Sequence, residues 1–296
     1  MSESVSIIIL TKNATRKFEN TMKAIYSQKF KGDIEVIIID SGSVDETLDI
    51  AKKYGARIFK IRPEDFHHSR TRNLGAEMSK GDFLVYLTQD AIPVNNYWLS
   101  SMLAWFKYKD IAAVYSRQIA YPDSKPMDKF FYFYFYPDQR RVLTKEDIKN
   151  PKKFFIENVF ISNVSSAVRR NIWEKIRFRD EISMAEDKDF ALRVLKMGYR
   201  IIYEPKSVVY HSHDYTLLSL FKRRLKDGIA YSTIASIGDE QFIAKGLEYF
   251  LSELKFLIEN ESFKWLPYTF VYELCAFSAF QIGKIIGYQR LRKTSL

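Results

Sequence analysis

The chain has 296 residues, of which 47% are hydrophobic and 28% charged, and its formal net charge is +10. This length fits one α/β domain with a helical extension, and the hydrophobic fraction excludes a disordered chain. The single cysteine, Cys275, excludes a disulfide framework and any zinc site built from cysteines, and it suits the cytoplasm.

The positive charge allows three kinds of partner, namely nucleic acid, an anionic membrane or a phosphorylated substrate. The acidic start, Met1 to Ser4, predicts no secretory signal. The chain contains no uncharged apolar run of about eighteen residues, so the sequence predicts no helix that spans a membrane.

Strands and helices alternate through the first sixty residues, which predicts a parallel, doubly wound sheet. Predicted strands cover residues 5–10, 35–39 and 56–60, with predicted helices at 16–28 and before Gly55. A further buried strand, residues 84–87, runs into a polar tip. Because ligands bind beyond the carboxyl ends of such strands, one crevice should collect the strand tips. These tips are Thr11, Asn13, Asp40, Ser41, Gln89 and Asp90.

Two arginines, Arg70 and Arg72, lie where a loop enters the next predicted helix. Arginines at a helix N-terminus can hold a diphosphate. The alternative is that both are ordinary solvated surface residues.

Three further segments carry polar groups. Residues 160–169 are strand-like and rich in small hydroxyl residues that would hydrogen-bond a sugar without blocking it. Glu186, Asp187 and Asp189 open a helix, where acids also simply favour the helix dipole. His211 and His213 end the last predicted strand and form a candidate metal site, although a histidine more often has another role.

The aromatic run at residues 130–136 is either core or a platform for an acceptor. From residue 215 onward the pattern becomes a basic amphipathic helix followed by aromatic-rich helices. Such a helix either lies on a membrane surface or packs against the core. We therefore predict two domains, a catalytic one at 1–214 and a helical, membrane-associating extension at 215–296.

Four segments, in this order, resemble motifs of the family 2 glycosyltransferases across residues 5–214. They are the opening strand with its tip (5–13), the D-x-x-S-x-D-x-T stretch (40–47), Thr88 to Ala91 at the position of the D-x-D metal motif, and the E-D pair at 186–187. The resemblance implies the GT-A fold, a Rossmann-like, mostly parallel α/β sheet flanked by helices. It also implies an inverting, metal-dependent nucleotide-sugar glycosyltransferase.

Finer details resemble bacterial rhamnosyltransferases that use dTDP-L-rhamnose. They lie at residues 66–73, 88–91, 163–167 and 211–213. The implied acceptor is a hydroxyl of a glycan, or of a polyprenyl-diphosphate-linked glycan, in surface polysaccharide synthesis. The implied location is the inner face of the cell membrane, as a peripheral protein.

The resemblance assigns roles by position. Asp187 would be the catalytic base, and Asp90 with His211 would hold Mn²⁺ or Mg²⁺. The nucleotide would contact Thr11, Asn13, Asp40, Ser41, Arg70, Arg72, Asn73 and Gln89. The acceptor and donor sugar would contact His68, Asn163, Ser165, Ser166, Glu186 and His213. Gln89 departs from the family pattern, since many relatives have an acid there.

Other functions stay open on the residues alone. A UDP-hexose-dependent transferase of the same fold would use the same motifs, and Gln89 would suit a catalytically weak binding or scaffold protein. A sugar-phosphate nucleotidyltransferase would need a glycine-rich loop after the first strand, and Thr11 to Thr15 contains no glycine. Only the charge favours nucleic acid, and we predict no such partner.

Overall fold

A computed structural model of the chain describes residues 4–150, 154, 157–182, 185–234 and 239–294. The described residues divide into two compact units. The first contains the chain up to Ile119, Phe135–Asn150 and Asn158–His211. The second contains Ala120–Tyr134, residues 154 and 157, and the chain from Ser212 onward. The predicted boundary at residue 214 is therefore simpler than this division, and the two-domain assignment stays a prediction.

A nine-stranded sheet forms the centre of the first unit in the described part of the chain. Its strands are β1 (Ser4–Thr11), β2 (Asp33–Asp40), β3 (Arg57–Lys60), β4 (Phe83–Thr88), β5 (Ile92–Pro93), β6 (Ile111–Ile119), β7 (Arg141–Leu143), β8 (Ser165–Arg169) and β9 (Arg200–Tyr210). The order is β3-β2-β1-β4-β8-β6-β9, and both β5 and β7 pair with β9.

The first four strands in this order are mutually parallel, as their apolar runs predict. Ile7, Ile8 and Ile9 of β1 are at most 1% exposed, because helices cover both faces of the sheet. β8 instead runs antiparallel between β4 and β6. β9 continues through Pro205 as a single strand, with a bulge where its pairing to β6 shifts.

Helices flank this sheet, which confirms the predicted α/β class. In the first unit they are α1 (Lys17–Tyr26), α2 (Thr47–Lys53), α3 (His68–Glu77), α4 (Trp98–Leu103), α6 (Arg170–Ile176) and α7 (Glu186–Lys196). Gly75 lets α3 approach β1 closely, since a Cβ there would lie 2.4 Å from Cγ2 of Ile8. This contact keeps the start of α3 at the carboxyl edge of the sheet.

The second unit is helical in its described residues. Its helices are α5 (Pro126–Phe135, whose last residue belongs to the first unit), α8 (Leu217–Ile234), α9 (Asp239–Glu259) and α10 (Leu266–Thr294). The aromatic run thus lies mainly on α5, where Phe130 is buried and packs against Tyr249 and Phe256 of α9. In that helix the run contributes to a packed interior.

Helices α8 and α10 cross at glycines. A Cβ on Gly283 would lie 2.2 Å from the carbonyl oxygen of Leu225, and one on Gly228 would lie 2.2 Å from that of Phe280. The two backbones therefore touch. Within the described residues, one helical segment, Phe263–Gln289, has the length and composition to cross a membrane, and a third of an 18-residue stretch of it is buried. The core helix of a soluble protein can have the same length and composition.

Candidate active site

The tips of β1 and β2 are tied together around the carboxylate of Asp40. Its Oδ1 accepts hydrogen bonds from the hydroxyls of Thr11 (2.9 Å) and Ser43 (2.5 Å). Its Oδ2 accepts from the backbone N–H groups of Gly42 and Ser43. Asp40 is 1% exposed, and these four bonds use the acceptor capacity of a carboxylate. The predicted contact of Asp40 with the nucleotide would therefore require one of these hydrogen bonds to be exchanged.

Asn13 also connects the loop after β1 to the loop after β2. Its backbone N–H donates to the Ser43 hydroxyl, and its side-chain oxygen accepts from the N–H of Val44. Asn13 has a φ of +47°, a left-handed conformation that asparagine tolerates better than most residues. The side chain therefore orders the loop. Ser41 binds the same strand tip through the carbonyl of Thr11.

Gln89 pairs with the backbone of Lys12. Its Oε1 accepts from the Lys12 N–H at 2.9 Å, and its Nε2 faces the Lys12 carbonyl at 3.3 Å. An acid would keep the first contact but not the second, because a carboxylate cannot donate. This two-sided pairing gives a structural reason for glutamine at this position.

A cleft of about 280 Å³ opens beyond these strand tips. It brings together strand tips β1, β2 and β4 with the start of α3. Its predicted site residues are Thr11, Ser41, His68, Arg72, Gln89 and Asp90, and it is also lined by Lys12, Pro63 and Phe66. A loop-lined cleft at the carboxyl edge of parallel strands is where ligands bind in α/β sheets.

Arg72, which lines this cleft, forms a buried ion pair. Its Nη1 lies 2.5 Å from Oε1 of Glu186, and both side chains are less than 10% exposed. The amide of Asn163 faces the same glutamate oxygen at 3.4 Å. Ser166 in turn donates to the Asn163 side chain at 2.8 Å. Arg72, predicted to contact the diphosphate, thus forms one network with three of the predicted sugar-binding residues, Glu186, Asn163 and Ser166.

Asp187 lies beside this network. Its Oδ2 accepts from the backbone N–H of Asn163 at 3.1 Å, and its Oδ1 from that of Lys188 at 2.8 Å. Loss of hydration, reinforced by the adjacent Glu186 carboxylate, raises the pKa of Asp187 to about 6. A carboxylate with a raised pKa is suited to accept a proton near neutral pH.

The residue that precedes this acidic pair is in an unusual conformation. Ala185, at the N-terminus of α7, has a φ of +61°, which is costly for a residue with a Cβ. The turn places Glu186 and Asp187 in the first turn of the helix, where the backbone dipole also favours negative charge. Such strain is common where a side chain must be held in a particular direction.

Asp90 and His211 approach each other from β4 and β9. Nε2 of His211 lies 3.8 Å from Oδ1 of Asp90, and the histidine is 5% exposed. One carboxylate oxygen and one imidazole nitrogen at this separation suit a divalent cation that takes its other ligands from phosphate and water. An imidazole ligand favours Mn²⁺ over Mg²⁺. The residues therefore fit the predicted metal.

Several predicted site residues do not line the cleft. Asn73 is occupied by the indole of Trp173 and the backbone of Phe178, and Ser165 by Trp98 and Ser116, so both stabilise the interior. Arg70 is exposed on α3 and does not line the cleft. His213 belongs to the second unit.

Three residues near the site escaped the sequence analysis. Lys12 lines the cleft, and its only signal was its place in the tip of β1. Gln118 contacts Nδ1 of His211, and Tyr136 contacts Gln118. Gln118 belongs to no motif, and Tyr136 ends the aromatic run at residues 130–136, so only the pairing of distant segments connects them to His211.

Two family models of glycosyltransferases match this chain. The family model for glycosyl transferase family 2 matches residues 6–177, and that for glycosyl transferase family group 2 matches residues 148–285. The first match spans more than half of the chain. The chain belongs to glycosyl transferase family 2.

Two similar relatives of this glycosyltransferase are the O-antigen chain rhamnosyltransferases WbaN of Salmonella anatum and RfbN of Salmonella typhimurium. Each is 33% identical over 285 residues, which is 95% of this chain and 89% of the relative. A similar solved structure is that of the mannosyltransferase PcManGT from Pyrobaculum calidifontis, in complex with GDP-Man and Mn²⁺. It has a TM-score of 0.61 at 16% identity and covers 94% of this chain and 86% of the other.

The predicted family and the GT-A fold are confirmed, and so is the prediction of a nucleotide-sugar glycosyltransferase. The likeness to the solved mannosyltransferase supports the fold alone, because the identity is low. The roles of individual residues stay predictions.

Proposed function

We propose that this glycosyltransferase transfers L-rhamnose from dTDP-L-rhamnose to a hydroxyl of a glycan, or of a polyprenyl-diphosphate-linked glycan, in surface polysaccharide synthesis. The observation that carries the proposal is the likeness to two O-antigen chain rhamnosyltransferases along 95% of the chain. The cleft supplies matching chemistry, because Lys12 and Arg72 line it and Arg72 pairs with Glu186, the neighbour of the proposed base Asp187.

In the proposed reaction, the acceptor hydroxyl attacks the anomeric carbon, the new C–O bond forms, and the bond to the nucleoside diphosphate breaks. Asp187 takes the hydroxyl proton. A divalent cation at Asp90 and His211 would neutralise the charge that develops on the leaving diphosphate. Attack opposite the leaving group, with a single base, inverts the anomeric configuration.

Arg72 has a second role in the proposed reaction. Its pairing with Glu186 orients the guanidinium at the cleft wall and partly compensates the two neighbouring carboxylates. Arg72 also acts electrostatically on Asp187, where its positive charge lowers the pKa. We therefore assign Arg72 a role in holding the acidic pair, in addition to the predicted contact with phosphate.

The donor is tested by incubating the purified protein with Mn²⁺ and a panel of dTDP-rhamnose, UDP-glucose, UDP-N-acetylglucosamine and GDP-mannose. We expect dTDP-rhamnose alone to raise the unfolding temperature and to be consumed when a lipid-linked glycan acceptor is present. A response restricted to UDP-sugars would favour the UDP-hexose alternative. Binding of a donor without turnover by any of several acceptors would favour the binding or scaffold alternative.

We further propose that the second unit rests on an anionic membrane surface. Exposed apolar side chains recur along two of its helices. On α9 they are Leu247, Leu251 and Ile258, and on α10 they are Phe270, Leu274, Phe277, Ile282 and Ile285. α8 adds exposed basic residues, among them Lys222, Arg223 and Lys226. Apolar and basic groups together are typical of helices in the membrane interface.

Membrane attachment is tested by co-sedimentation with vesicles of phosphatidylglycerol or of phosphatidylcholine. We expect binding to the anionic vesicles, weakened by salt and by Leu251→Glu with Leu274→Glu. Met197→Glu is the matched control, because Met197 is also 55% exposed but belongs to the first unit. Equal loss with both variants, or a protein that only self-associates, would contradict the proposal.

A further inference from the structure

A buried hydrogen-bond chain leads from His211 into the first unit. Nδ1 of His211 lies 2.9 Å from Oε1 of Gln118, and Nε2 of Gln118 lies 3.0 Å from the hydroxyl of Tyr136. The three side chains are 5%, 2% and 4% exposed. His211 directly follows β9, Gln118 is on β6, and Tyr136 directly follows α5; they lie up to 93 residues apart in the chain.

The far end of this chain offers the Tyr136 hydroxyl a hydrogen-bond acceptor. The Tyr136 hydroxyl lies 3.5 Å from the carbonyl oxygen of Val159, which can only accept a hydrogen bond. With the phenolic proton directed at Val159, the hydroxyl accepts from the NH₂ group of Gln118. Ser162 is a second side-chain hydrogen-bond partner of Tyr136.

The same reasoning continues to the histidine. With its NH₂ group toward Tyr136, Gln118 presents its carbonyl oxygen to His211. A carbonyl oxygen accepts, so Nδ1 of His211 carries the ring proton. In the neutral ring, Nε2 then bears the lone pair, and Nε2 is the nitrogen that lies 3.8 Å from Asp90. A metal ligand requires that lone pair.

We propose that Gln118 is a positioning residue: it holds His211 in the Nδ1–H tautomer, so that the Nε2 lone pair and Asp90 together face a divalent cation, and Tyr136 fixes the orientation of the Gln118 amide. This inference rests on the metal role in the proposed function and deepens it. Groups that hydrogen-bond the second nitrogen of a metal-binding histidine fix its tautomer and ring direction, and their loss lowers metal affinity by roughly 10–100-fold.

The tautomer is measured directly by ¹⁵N NMR of the histidine side chains at pH 8. The chain contains only four histidines, which makes the signals assignable with a His211→Gln variant. We expect the Nδ1–H form for His211 in the wild type and in Gln118→Glu, which keeps an acceptor oxygen. Gln118→Leu removes the acceptor and should give the Nε2–H form or a mixture. A wild-type His211 in the Nε2–H form would overturn the inference.

The second measurement is the affinity for Mn²⁺, determined by calorimetry in the presence of dTDP. We expect Gln118→Leu to weaken Mn²⁺ binding about 10–100-fold and Gln118→Glu to retain it. Gln28→Leu is the matched control, because Gln28 uses its amide in a similar way but bonds to Ala24 and Asn95. Circular dichroism on each variant checks that it is folded.

The two proposals fail in different ways. A wild-type protein that shows the Nδ1–H tautomer but binds no Mn²⁺ would overturn the metal role in the proposed function. A Gln118→Leu variant that is folded, keeps the wild-type tautomer and binds Mn²⁺ normally would overturn the role of Gln118 while leaving the proposed function intact.

Discussion

Arg72 and Glu186 are 114 residues apart in the chain, yet Nη1 of the arginine lies 2.5 Å from Oε1 of the glutamate. Both side chains are almost fully buried, and Asp187 follows directly in the chain. A buried ion pair is costly to break, because removal of one partner leaves the other charge without compensation. The pair therefore couples the start of α3 to the acidic end of α7 and sets the electrostatic environment of Asp187.

The replacement Asp187→Asn should abolish turnover and leave nucleotide binding nearly unchanged. The amide keeps the shape of the side chain but cannot accept a proton, and a general base typically contributes about 10²–10⁴-fold to the rate. Turnover of the donor and calorimetric binding of dTDP are the two measurements. Asp49→Asn, on the exposed face of α2, is the control. A near-normal rate for Asp187→Asn would remove Asp187 from the role of base.

The pH profile of kcat/KM should have an acidic limb governed by Asp187. Only the carboxylate form accepts a proton, so activity should fall as the pH drops through a pKa of about 6. The Glu186→Gln variant removes the neighbouring negative charge that raises this pKa, so its limb should move to lower pH. A limb near the ordinary aspartate pKa of about 4, in the wild type, would contradict this assignment.

The replacement Asp90→Ala should weaken the Mn²⁺-dependent binding of dTDP by roughly tenfold or more, since the site loses its carboxylate ligand. Binding measured without a divalent cation should change little. Asp33→Ala is a matched control, because Asp33 is an exposed aspartate at the start of β2, the opposite end of that strand from Asp40. Unchanged Mn²⁺ dependence would exclude Asp90 as a ligand.

The replacement Gly283→Ala should destabilise the second unit. Its Cβ would lie 2.2 Å from a backbone oxygen of α8, and neither helix can yield without separating. Overpacking of this kind typically costs about 1–3 kcal/mol. Gly246→Ala on α9 is the control, since its Cβ would meet nothing within 4 Å and alanine favours a helix by about 1 kcal/mol. Urea unfolding followed by circular dichroism should show a lower free energy of unfolding for Gly283→Ala and a higher one for Gly246→Ala.

The sequence predicted the parallel half of the sheet because the apolar runs of β1, β2 and β4 are continuous and helices alternate with the strands. It could not predict that β8 runs antiparallel, because residues 165–169 carry no mark of strand direction. The last strand, β9, contains Pro205, and the structure accommodates this proline at a bulge. Edge and bulge positions tolerate proline, and only the pairing reveals them.

The sequence by itself determined which polar residues end each parallel strand, and so that Thr11, Asp40 and Asp90 meet at one edge, because the carboxyl ends of parallel strands must lie on the same side of a sheet. Only the tertiary structure decided how those residues are used. It commits the Asp40 carboxylate to its own loop, pairs Arg72 with Glu186, and places Gln118 behind His211. The physical reason is that these contacts join residues far apart in the chain, and their geometry depends on how sheet and helices pack, which no local pattern encodes.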